Sequence, residues 1–103
     1  AFAGLWETWH PEGQPPVSTC TVLTTEPNEL MAPIHNRMPV ILDPAGESAW
    51  LDPETPSAAR LDLLRPCSPH DMEAYAVSRR VNSPSVDDAS LIESVEAGSL
   101  FET

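Results

Sequence analysis

Ile34-His35-Asn36-Arg37-Met38-Pro39-Val40-Ile41-Leu42 is the stretch around which the chain is organised. Its second half is an unbroken apolar run, which reads as a buried strand. Its first half carries an imidazole and a guanidinium two residues apart. Histidine exchanges protons near neutrality, and arginine holds phosphate in a fixed geometry. A loop leading into a rigid strand is a position where functional groups concentrate. Pro39 donates no backbone hydrogen bond, so it places the start of the strand at an edge or entry position.

Working outward, Ala1 to Trp9 alternates with period two: Phe2, Gly4 and Trp6 against Ala3, Leu5 and Glu7. That pattern predicts a strand. His10 to Pro16 reads as a turn, and Val17 to Thr25, rich in Val and Thr, as the second strand of a hairpin. Asn28 is placed to cap a short helical turn, with Leu30 and Ile34 on one face. Glu47 to Leu51 predicts one helical turn that docks Trp50. Thr55-Pro56 predicts a helix to about Arg65 with Ala58, Leu61 and Leu64 inward, and Ser68-Pro69 a brief turn. Glu73 to Asn82 alternates like a strand, and Asp88 to Glu96 predicts a final helix closed by Gly98. Short strands among brief helices define an α+β class.

The 103 residues suffice for one small domain, and twelve prolines rule out long helices. No apolar run is long enough to span a bilayer, and no basic-then-apolar leader is present, so no membrane is expected. Cys20 and Cys67 stand far apart without metal-ligand spacing, which predicts reduced thiols, a cytoplasmic setting and no metal or other cofactor. The formal charge is −11, and all five basic residues are arginines. Long-range electrostatics therefore oppose nucleic acid, leaving only local attraction in a groove.

Phe2-Ala3-Gly4-Leu5-Trp6-Glu7, Leu23-Thr24-Thr25, Ile34 to Leu42, Trp50-Leu51, Val77-Ser78 and Val81-Asn82 together resemble the SOS response-associated peptidase family in order and spacing. The resemblance covers about residues 1–95, with 96–103 as a tail, and matches the C-terminal half of that domain. It implies a mostly antiparallel, barrel-like sheet around a DNA groove. It also implies a sensor of abasic sites in single-stranded DNA that crosslinks covalently through an N-terminal cysteine, as a thiazolidine, and processes its own N-terminus. Neither Cys20 nor Cys67 offers a free α-amine, so this chain alone is expected to be inert. The opening in mid-strand suggests that the partner it needs is a preceding half of the same domain or a second chain.

On that resemblance Glu7 and His35 are the catalytic proton carriers. Leu5, Trp6 and Trp9 are read as an apolar wall around Glu7. Arg37 and Thr24 are the DNA-binding residues. From the residues alone, Glu7 is equally a solvated strand-end carboxylate and Arg37 equally a surface ion-pair partner. His10 and His70 match nothing and read as surface residues. The competing classes are a catalytically dead binding or regulatory remnant of the fold and an unrelated small acidic interaction protein.

Overall fold

The computed structural model describes residues 1–96, which fall into two compact units, Ala1–Met72 and the segment from Glu73 onward. The first unit contains β1 (Gly4–Trp9), β2 (Val17–Val22), β3 (Thr24–Thr25), β4 (Met38–Pro39), α1 (Pro44–Leu51) and α2 (Ser57–Leu61). β1 and β2 form the expected antiparallel hairpin, with Gly4 opposite Val22 and Trp9 opposite Val17. The connecting turn contains Gly13 at φ 72°, a backbone state that glycine reaches without steric cost. Gly4 is needed for a different reason. A Cβ there would lie 2.9 Å from the Thr21 carbonyl oxygen, which is fixed backbone. Gly4→Ala is expected to lower stability by about 1–3 kcal/mol, read as a drop in the urea midpoint.

The three strand segments meet at a triangle. The Ala3 amide donates to Val40, the Val40 amide to Leu23, and the Leu23 amide to Ala3, each at 2.9 Å. Three ladders leave this triangle: β1 with β2, β3 with β4, and the bridge of Phe2 to Ile41. This geometry corrects the barrel-like expectation. The described residues form two separate two-stranded antiparallel sheets and no closed barrel. The cause is local: β3 and β4 are two residues long, and Pro39 opposite Thr24 has no N–H to carry the ladder further. The α+β class and the antiparallel pairing are as the sequence predicts.

Around the triangle the central run alternates, with Met38, Val40 and Leu42 buried and Pro39 and Ile41 partly covered. Ala3 joins Val40 and Leu42 in the core, and Leu23, Trp50, Leu63 and Leu64 pack against them. α1 is longer than predicted because Asp43 caps it, its Oδ1 accepting from the Gly46 amide at 2.7 Å, with Pro44 in the first turn. Trp50 docks as expected and its indole N–H reaches the Gly4 carbonyl at 3.0 Å.

Asn28 does more than cap. It is buried; its side-chain oxygen accepts from the Met31 amide at 3.0 Å, and its amide nitrogen donates to the Cys67 carbonyl at 3.0 Å and to the Met72 sulfur at 3.3 Å. One side chain thus ties the loop before His35 to a segment thirty-nine residues away. Ile34, placed on one face with Leu30, is exposed, while Leu30 is partly covered. α2 stops at Leu61, which is 66% exposed. Past it, tight turns from Arg60 to Leu63 and from Leu61 to Leu64 swing Leu63 and Leu64 onto the core, replacing the predicted stripe that ran through Ala58 and Leu61.

In the second unit the predicted strand over 73–82 is reduced to one bridge, Val77 to Ser94. Ser78 takes the Arg80 amide at 3.2 Å and turns Arg79–Asn82 into a 3-10 helix, so the alternation is never used. Asp88 caps a second 3-10 helix, Ala89–Ile92, where a longer helix was expected. Its carboxyl sits below the usual range because the Ser90 hydroxyl and amide donate to it and Arg80 lies 3.1 Å away. Gly98 and the tail lie outside the described residues.

Candidate nucleic-acid interface

The antiparallel register sets β3 beside the segment that leads into β4, and this brings two predicted residues together. The Arg37 guanidinium donates to the Thr24 hydroxyl from Nη2 at 3.2 Å and from Nε at 3.4 Å. Both residues are exposed. Among the described residues Arg37 makes no ion pair, although the chain carries sixteen carboxylates. A guanidinium held by a neutral hydroxyl keeps its charge available to an incoming phosphate.

His35 belongs to the same array. Its amide donates to the Met31 carbonyl at 2.9 Å, closing the turn that Asn28 anchors. The Arg37 amide donates to His35 Nδ1 at 3.0 Å, and the Arg37 carbonyl lies 3.0 Å from the same atom. An amide N–H can only donate and a carbonyl can only accept, so Nδ1 has a partner in either tautomer of the ring. Nε2 has no partner among the described residues and the residue is exposed. Thr24, Arg37 and His35 are thus one hydrogen-bonded chain. The sequence showed each of them, while their connection rests on a strand register that spacing alone does not give.

Glu7 stands elsewhere. It lies in β1 opposite Thr19, exposed, on a different ladder from Thr24 and Arg37. Strand alternation sends Trp6 to the face opposite Glu7. With Trp6 77% and Trp9 65% exposed, these residues build no apolar wall around the carboxyl. No hydrogen bond or ion pair joins Glu7 to His35 among the described residues. A cleft of about 850 Å³ is lined by Leu42, Asp43, Leu63, Arg65, Cys67 and Met72, among others, and by neither Glu7 nor His35.

Both cysteines are free thiols. Cys20 is exposed opposite Trp6, and Cys67 donates to the Met72 sulfur at 3.2 Å. No cluster of three His, Cys, Asp or Glu side chains fit for a metal occurs among the described residues. No helix there is long and apolar enough to cross a membrane.

The chain has counterparts among known proteins. Residues 1–84 match the profile of the SOS response associated peptidase (SRAP) family, and the chain belongs to that family. Abasic site processing protein YoqW of Bacillus subtilis (strain 168) is 54% identical over 96 residues, spanning 91% of this chain and 42% of its own length. Abasic site processing protein HMCES of Gallus gallus is 36% identical over 102 residues, spanning 94% of this chain and 29% of its own. A crystal structure of a protein from Bacteroides thetaiotaomicron superposes with a TM-score of 0.83 at 26% identity, covering 92% of this chain and 43% of that one. The chain therefore spans about two fifths of the length of the bacterial relatives it matches.

Proposed function

We propose that this chain is the DNA-facing portion of a protein that senses abasic sites in single-stranded DNA and becomes covalently linked to them. The hydrogen-bonded array of Thr24, Arg37 and His35 carries this reading, in a chain whose relatives are abasic site processing proteins. Arg37 clamps a backbone phosphate, Thr24 fixes the guanidinium, and His35 moves a proton at the sugar oxygen as the ring opens. The nucleophile is an N-terminal cysteine supplied from outside these residues, since Cys20 and Cys67 lie within the chain and have no free α-amine. Its amine condenses with the ring-opened aldehyde, releasing water, and its thiol closes the imine to a thiazolidine. The same thiol attacks the peptide bond before it during N-terminal processing.

The partner that completes the site is the remainder of the domain. An isolated hairpin is marginal in water, and β1–β2 exposes Leu5, Trp6, Trp9, Val17 and Val22. The complete protein works in the cytoplasm. A non-catalytic DNA-binding remnant is the second reading, favoured by the lack of a hydrogen bond between Glu7 and His35 among the described residues. Incubating the complete protein with an abasic oligonucleotide and running a denaturing gel decides between them: a retained adduct is expected, and binding without any adduct selects the remnant.

Arg37→Ala is expected to weaken oligonucleotide binding roughly tenfold and to flatten the log–log salt dependence by about one unit. Fluorescence anisotropy over a salt series measures both. An unchanged slope would make Arg37 structural.

A further inference from the structure

The Arg37 main chain faces His35 with a donor and an acceptor, each 3.0 Å from the same ring nitrogen. We infer that the Arg37 peptide groups are the orienting partner of His35, the position a carboxylate holds in catalytic triads, so that His35 exchanges protons through Nε2 alone. The inference rests on the proposed role of His35 and adds the atom through which it acts.

Three ring states follow, and each has a partner in place. In the neutral ring that carries its proton on Nε2, Nδ1 accepts the Arg37 N–H, and this tautomer takes up no proton at Nε2. In the imidazolium Nδ1 also carries a proton, and donates it to the Arg37 carbonyl. The acid step breaks the Nε2–H bond and forms an O–H bond on the substrate oxygen. It leaves a neutral ring whose Nδ1–H stays on that carbonyl. The base step is the reverse. Nδ1 keeps a partner throughout, so the ring does not swing when its charge changes. No carboxylate is required on the Nδ1 side, which fits the placement of Glu7 on another ladder. The same residue supplies the guanidinium held by Thr24, so phosphate binding and imidazole orientation share one backbone unit.

The test has two arms, both on the complete protein. With 15N-labelled histidine and no DNA, the neutral His35 ring should show a protonated Nδ1 and an unprotonated Nε2; a predominantly Nε2-protonated neutral ring overturns the inference. This arm reads the orientation whether or not abasic DNA is the substrate. In the second arm His35→Asn places an amide oxygen where Nδ1 stood and leaves nothing at Nε2. It should keep its affinity for abasic single-stranded DNA while adduct formation falls roughly a hundredfold. An unslowed adduct, or affinity lost together with rate, overturns the inference. A wild-type protein that forms no adduct refutes the functional reading and leaves the first arm standing.

Discussion

In the complete protein, His35→Ala should slow covalent capture of abasic single-stranded DNA by a factor of about 10² or more, with a smaller change in binding. Loss of a positioned general acid–base typically costs 10²–10⁴ in rate. The effect should fall on the chemical step, because the charge proposed to meet phosphate is on Arg37, whose guanidinium rests on Thr24 and not on the imidazole. Single-turnover adduct formation against a binding isotherm separates the two. Undiminished adduct formation would remove His35 from the chemistry. Glu7→Gln is the paired comparison. The carboxylate is exposed, sits in another ladder and makes no hydrogen bond to His35 among the described residues, so its removal should slow the reaction far less. An equal loss in both variants would restore the acid–base pair that the sequence suggests.

The second large effect concerns folding. Asn28→Ala should lower stability by about 2–4 kcal/mol. Removing a side-chain cap costs about 0.5–2 kcal/mol, and stranding a part-buried carbonyl costs about 1–3. Asn28 meets both conditions, capping Met31 and satisfying Cys67. Denaturant unfolding of the variant should show a lower midpoint with an unchanged slope. A loss below about 1 kcal/mol would mean that water or a neighbour replaces the lost bonds. Asn28→Asp separates the terms, since it keeps the acceptor for Met31 and deletes the donor to Cys67.

The site was half legible. His35 and Arg37 stood out because their side chains carry chemistry at any address, and Thr24 stood out through the resemblance. Their linkage was not legible, since it needs β3 and β4 paired in one particular register. Around Glu7 the sequence misleads only about enclosure. A carboxylate flanked in sequence by Trp6 and Trp9 looks enclosed, yet alternation sends Trp6 to the other face and leaves both indoles exposed. Among the elements, the hairpin could be read directly, because period two signals strands, whereas the strand predicted over 38–42 is cut to Met38–Pro39 with Met38, Val40 and Leu42 buried. The strand predicted over 73–82 failed for want of a partner: Ser78 offers its own hydroxyl to the Arg80 amide and the backbone curls.

Alternation, turn residues and caps act within a few residues, and they determined the hairpin, the buried central run and the Asn28 turn. The tertiary structure decided what depends on distant segments meeting. Ala3, Leu23 and Val40 close a triangle that splits the sheet into diverging ladders, and Asn28 reaches across to Cys67. The reason is physical: a backbone amide bonds whichever carbonyl the rest of the fold brings to it, and that choice is written in no single stretch of the chain.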